Sequence, residues 1–422
     1  MKHASRLLLI FASILMTLAC LGTPESPKTP ISKKTTPPNA NPTTAMVETS
    51  MSSPFPGLKV AYIHDGNVWL WDGITPARQL TSAGDAVQVK LSDDGEVIVY
   101  LRGQSPMTQN GQSLWMVNAN DLSSPRLLVN LPMYDSKNPS FEKLIIAQFE
   151  FQINTHWIFF STARSNGTNF NDLYRVNADT PTLPQVLLDE DGGIITFSPD
   201  GNLLALSSFI GIKVIHADGS ELVTAFQYPA TSLETSYTPQ VVWMENGTGF
   251  YTLLPDNSGI NSKLLFVSSD GSINAQLAKL EMHMGIPIIS PNGLKVAYVK
   301  QTETANELHL IETSTADSII ASYEGAPLLF LWNWSPDSKR IVFSNAHPSP
   351  LMTAGIGIPP TSLTESVTPF SLRWISEDRY IFFREGELLV GRLDNTETIL
   401  IATGFSNQLD TKYYDFTVIT QP

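Results

Sequence analysis

Phe197-Ser198-Pro199-Asp200-Gly201, followed by Leu204-Ala205-Leu206, is an apolar anchor, a tight turn and a second apolar run. Pro presets φ for a turn, Asp bonds back to its own backbone, and Gly accepts positive φ. The arrangement returns along the chain. Ile289 precedes Ser290-Pro291-Asn292-Gly293 and Val296-Ala297-Tyr298. Trp334 precedes Ser335-Pro336-Asp337-Ser338 and Ile341-Val342-Phe343. Leu91 precedes Ser92-Asp93-Asp94-Gly95 and Ile98-Val99-Tyr100. In each copy the second run begins seven residues after the anchor.

That offset also finds degenerate copies at Trp243 with Phe250, Trp374 with Ile381, and Phe151 with Ile158. The seven anchors are separated by 60, 46, 46, 46, 45 and 40 residues, by subtraction. A third run recurs, as in Leu114-Trp115-Met116-Val117 and Leu264-Leu265-Phe266-Val267, with a weaker copy from Leu351. A fourth follows in most copies, as in Arg126-Leu127-Leu128-Val129 and Thr398-Ile399-Leu400-Ile401.

The runs are short, rich in β-branched and aromatic residues, and bounded by Gly, Pro, Asn and Asp, which specifies strands. The second run is apolar at consecutive positions, so both faces are buried. Four strands every 40 to 46 residues describe the blade of an all-β propeller. The first unit, with strands from Val60, Val68 and Arg78, lacks an innermost strand. The terminal run Tyr414-Asp415-Phe416-Thr417-Val418-Ile419 supplies it and closes the ring, removing free edges. The expected count is eight blades, or seven if Ser344 to Phe370 does not complete one.

The Ser-Pro-Asp-Gly turn between an apolar anchor and an Ile-Ala-Tyr-like strand resembles the TolB-type propeller repeat, a relative of the Trp-Asp repeat. The resemblance covers roughly residues 57 to 420. It implies a periplasmic or extracellular propeller that binds proteins or accompanies a catalytic domain. TolB has an extra N-terminal α/β domain where this chain has a polar tether, so TolB's role does not carry over.

Residues 1–19 read as a signal peptide. Lys2 and Arg6 precede the apolar run Leu7 to Met16, which is too short to span a bilayer. Thr17-Leu18-Ala19-Cys20 resembles a lipobox, with Thr17 where Leu, Val or Ile is usual. Cys20, the one cysteine of the chain, is the expected lipidation site; cleavage after Ala19 leaving a free thiol is the alternative. Residues 20–56 form a Pro/Thr/Ser-rich tether too poor in apolar residues to fold. At about 3 Å per residue it reaches roughly 100 Å. Residues 57–422 form the propeller. The expected address is the bacterial cell envelope, extracytoplasmic and lipid-anchored.

Net charge is −14 over 422 residues, with a pI near 4.9. Such a field repels phosphate, which argues against nucleic acid. One cysteine leaves no intrachain disulfide. Charged residues are 16% of the chain, so Ser, Thr, Asn, Gln and Pro cover much of the surface.

No Ser/His/Asp triad or carboxylate pair can be placed by spacing, and no Gly-x-Ser-x-Gly elbow exists. No cofactor or metal is expected. The tryptophan anchors Trp243, Trp334 and Trp374 read as core between blades, and Asp94, Asp200 and Asp337 as turn formers. The acidic turn Asp189-Glu190-Asp191-Gly192 and the run Glu281-Met282-His283-Met284 are metal patterns of low specificity. Connections from second to third strand and from blade to blade vary in length, and both classes emerge on one face. Variable loops on a rigid scaffold are where binding resides. Three residues before an anchor, Gln88, Gln148, Gln240 and Ser371 are candidates to line that mouth and bind a ligand. The expected function is a monomeric binding lipoprotein recognising a protein or envelope polymer through the long-loop face. An enzyme acting on glycans or peptides in the central channel, or an accessory or sensor subunit of an envelope transport complex, are the alternatives.

Overall fold

Each second strand divides its side chains between two neighbours, and that division builds the molecule. In Val97–Arg102, Val97, Val99 and Leu101 enter one hydrophobic cluster, while Ile98 and Tyr100 enter another. Alternate residues of a strand point to opposite faces. A strand apolar at every position therefore requires a sheet on each side.

The computed structural model describes residues 55, 57–103, 112–121, 124–131, 144–164, 170–180, 182–228, 238–256, 259–313, 317–325, 327–345, 350–364, 371–394, 398–405 and 410–419. The expected signal peptide, Cys20 and nearly all of the tether lie outside them. The described residues form eight antiparallel four-stranded sheets. Blades 2 to 8 each take four consecutive strands, with innermost strands Ala86–Leu91, Leu144–Phe151, Ile194–Phe197, Val242–Trp243, His283–Ile289, Phe330–Trp334 and Arg373–Trp374. Blade 1 combines Leu58–His64, Asn67–Trp71 and Arg78–Gln79 with Tyr414–Val418 from the far end of the chain. Leu58 pairs with Val418 and Tyr62 with Tyr414, so the last strand closes the ring. Ser344 to Phe370 does complete a blade: Leu351–Gly355 and Ile358–Thr364 are the outer strands of blade 7. The count is eight.

Eight apolar clusters fill the structure, each drawn from two neighbouring blades. The cluster between blades 8 and 1 packs Phe383, Leu388 and Val390 against Val60, Tyr62 and Tyr414.

The turns behave as their residues dictate. In blade 4 the Ser198 hydroxyl accepts from the Leu203 amide at 2.9 Å and donates to Asp200 Oδ1 at 2.6 Å. Asp200 Oδ1 also accepts from the Asn202 amide at 3.1 Å. Blades 2, 6 and 7 repeat this with Ser92/Asp94, Ser290/Asn292 and Ser335/Asp337. Gly293 takes φ +73°, and a Cβ there would fall 1.9 Å from the Tyr251 ring of blade 5.

Blade 8 departs from the seven-residue offset. Trp374 pairs with Tyr380, and Ile381 pairs with Arg373. The Ile375 amide bonds to the Arg379 carbonyl, a loop one residue tighter than the Ser198-to-Leu203 closure of blade 4. The Ser376-Glu377-Asp378 segment therefore closes a shorter turn, whereas the Gln152-Ile153-Asn154-Thr155 turn of blade 3, also without Pro-Asp-Gly, keeps the seven-residue pairing of Phe151 with Ile158.

Candidate binding face and channel

The innermost strands surround the ring axis, and their polar side chains tie blade to blade. Gln148 of blade 3 donates to the Ile195 carbonyl at 3.1 Å and accepts from the Ile195 amide at 2.8 Å. Gln240 of blade 5 does the same to blade 6, donating to the Pro287 carbonyl at 2.9 Å and accepting from the Ile289 amide at 3.2 Å. Asn333 of blade 7 donates to the Leu372 carbonyl at 2.7 Å. The anchors reach in the opposite direction. The indole N–H groups of Trp243 and Trp334 donate to the Thr196 and Ile288 carbonyls of the preceding blades at 3.0 and 3.1 Å. Trp374 donates to Asn333 Oδ1 at 3.0 Å.

The four residues selected from sequence for the mouth thus occupy three different settings. Gln148 and Gln240 carry inter-blade bonds. Ser371 is buried, and its hydroxyl accepts from the Phe383 amide of its own blade at 3.0 Å. Gln88 is half-buried on the innermost strand of blade 2.

One strand level divides the channel into two halves. The position just before the anchor holds Arg373, Asp415, Lys90 and Glu150 in blades 8, 1, 2 and 3. In blades 4 to 7 it holds Thr196, Val242, Ile288 and Asn333. Arg373 meets Asp415 at 2.6 Å, Asp415 accepts from the Leu91 amide at 2.9 Å, and Lys90 meets Glu150 at 2.9 Å. Two ion pairs and a backbone bond therefore join four blades. Burial works against the charge on Arg373, but Asp415, Tyr414 and Glu150 outweigh it and raise the guanidinium's pKa. Among the described residues at this level, the two carboxylates, Asp415 and Glu150, are both in ion pairs.

The face above these strands is divided in the same way. Ile194, Phe209, Ile210, Ile260, Met282, Ile286, Leu328 and Phe330 are each between 39% and 66% exposed. They sit on second-to-third-strand turns, on links between blades, or on the channel-side part of innermost strands, all in blades 4 to 7. Among the described residues, the other large exposed apolar side chains lie on the opposite face or on outer strands. Beside Phe209 and Ile210, a cavity of about 290 Å³ is lined by Arg164, Phe170, Glu190, Asp191 and Lys213. Asp191 of the acidic turn pairs with Lys213 there, so a lysine supplies the positive charge at this turn. Composition could not reveal the crescent, because its members come from separate turns, links and strands of four blades that only the assembled ring brings to one face.

His283 does not join its neighbouring methionines. It is buried, its Nε2 lies 2.8 Å from Ser262 Oγ, and Met282 is exposed. On the short-turn face, His156 Nε2 lies 2.9 Å from Asp94 Oδ2 of blade 2, and Nδ1 lies 2.8 Å from Asp179 Oδ1. Burial works against its charge, but the two carboxylates prevail and raise its pKa.

This geometry defines an eight-bladed β-propeller protein. No family model matches the chain, and no curated protein matches it in sequence. Solved structures do. Dipeptidyl peptidase 4 of Porphyromonas gingivalis is similar over 84% of this chain and 60% of its own, with 10% identity and a TM-score of 0.54. An oligogalacturonate lyase in complex with manganese is similar over 69% of this chain and 83% of its own, at 16% identity and a TM-score of 0.47. TolB of Acinetobacter baumannii is similar over 63% of each chain, at 16% identity and a TM-score of 0.34. At such identities the likeness is one of fold, and a propeller hosts many functions.

Proposed function

We propose that this chain is a binding propeller of the bacterial cell envelope, held at a membrane by a lipid on Cys20, and that it recognises a protein through the long-turn face of blades 4 to 7. The observation that carries the reading is the exposed apolar crescent from Ile194 to Phe330. Isolated exposed apolar residues are ordinary; a group confined to half of one face marks an interaction surface. A protein partner offers apolar side chains to such a surface. A hydrated envelope polymer offers hydroxyls and carboxylates, and the net charge of −14 opposes an anionic one. The chain enters the ring at Leu58, paired with Val418 beside the Gly95 turn, so both ends of the ring lie on the short-turn face. The crescent carries neither.

A photoreactive residue at Ile286, compared with one at Ile74 on the opposite face, tests this in intact cells. A discrete protein adduct from position 286 and none from 74 is expected. Adducts equally from both, or none from 286, overturn the reading. Mass spectrometry of the mature N-terminus tests the anchor: a diacylglyceryl group on Cys20 is expected, and an unmodified thiol refutes it.

A further inference from the structure

The turn Ser92–Gly95 of blade 2 differs from its equivalents in what surrounds it. The equivalent second oxygen is taken by Asn202 in blade 4, where Asp200 Oδ2 lies 2.7 Å from Asn202 Nδ2. In blade 7 it is taken by Lys339, 3.1 Å from Asp337 Oδ2. In blade 2, Asp94 Oδ2 meets the imidazole of His156, and Glu96 stands two residues on. One ligand atom from each of Asp94, Glu96 and His156 lies within 4.8 Å of the others.

We propose that Asp94, Glu96 and His156 form a binding site for a first-row divalent transition metal ion, of which Zn²⁺ is the type, joining blade 2 to blade 3. Imidazole nitrogen with carboxylate oxygen suits such an ion, and ligands at about 2.0–2.2 Å from one centre fall within the observed separations. The imidazole is already oriented for the task. Asp179 Oδ1, 2.8 Å from Nδ1, orients the ring and holds the Nδ1 proton, so that Nε2 is the nitrogen presented to an ion, as carboxylates do behind metal-bound histidines. The turn is held by bonds that use none of the ligand atoms. Lys59 Nζ donates to the Gly95 carbonyl at 3.0 Å, Thr417 Oγ1 to the Asp93 carbonyl at 2.6 Å, and the Asn154 amide to Asp93 Oδ2 at 2.8 Å. Three carboxylates, Asp94, Glu96 and Asp179, stand around the one imidazole. In the metal-free protein the imidazole bridges Asp94 and Asp179; the ion takes the place of the proton on Nε2 and adds Glu96.

Zn²⁺ titrated into chelator-treated full-length protein tests this by calorimetry and by thermal unfolding. Wild type is expected to bind one ion at this site and to unfold at a higher temperature with it. His156→Ala and Glu96→Gln are expected to lose that ion and the shift. Asp94→Asn keeps the turn, as Asn292 does in blade 6, and is expected to lose the ion with the fold intact. Asp179→Asn is expected to bind about 10- to 100-fold more weakly. Absence of binding by wild type, or the same stoichiometry and affinity in wild type, His156→Ala and Asp94→Asn, overturns the proposal.

Discussion

A single hydroxyl carries much of each conserved-pattern turn within this chain. Ser198 accepts from the Leu203 amide and donates to Asp200, so one oxygen closes the turn and orients the carboxylate that holds the Asn202 amide. These bonds hold the Asp200 carboxyl below its ordinary pKa. Ser198→Ala removes an acceptor for a backbone amide and is expected to cost about 1–2 kcal/mol, read as a lower urea midpoint with an unchanged slope. His283 gives a pH dependence. Burial lowers its pKa, so the folded ring stays neutral while the unfolded ring gains a proton as pH falls through about 6.5. Its contribution to stability is full above that pH and declines below it. His156, with a raised pKa, contributes in the opposite sense. His283→Gln is therefore expected to lose less stability than wild type between about pH 7.5 and pH 5.5, measured by urea unfolding at each.

The element on which closure rests is Tyr414–Val418. It pairs along Leu58–Tyr62, and its Asp415 touches both Arg373 of blade 8 and the Leu91 amide of blade 2. The Tyr414 ring packs edge-on against Phe383, 5.7 Å between centroids. Removing residues 414–422 exposes the paired edge of blade 1 and uncovers the cluster between blades 8 and 1. The truncated chain is expected to aggregate or to melt at a markedly lower temperature, by size-exclusion chromatography and thermal unfolding. A truncated protein with the wild-type melt would show that the other strands hold the ring without it. Elements were legible in the chain because turn chemistry is local: Ser-Pro-Asp-Gly marks one strand junction wherever it occurs. Blade 8 shows the limit: at Ser376-Glu377-Asp378 the pairing is one residue shorter, while the equally degenerate Gln152-Ile153-Asn154-Thr155 turn of blade 3 keeps the full offset.

At the scale of the ring, charge and apolar exposure divide between two halves. Blades 8, 1, 2 and 3 place ion pairs at the channel, and blades 4 to 7 place apolar side chains at its mouth. Met282→Ser combined with Ile286→Ser, both exposed, is expected to leave thermal stability within about 0.5 kcal/mol of wild type while abolishing the protein adduct formed from a photoreactive residue at Leu328. Strand period, turn residues and the orphan terminal run are written along the chain, so the propeller and its closing strand are legible there, while the choice of eight blades over seven came from the pairing of Leu351–Gly355 and Ile358–Thr364. Which side chains meet across a seam could not. Gln148 and Gln240 look like free polar residues in the chain, yet each spends its amide on the next blade. Asp94 and His156 are 62 residues apart. They meet because packing adjacent sheets face to face brings turns of neighbouring blades together, and that proximity is a property of the assembled ring rather than of any one repeat.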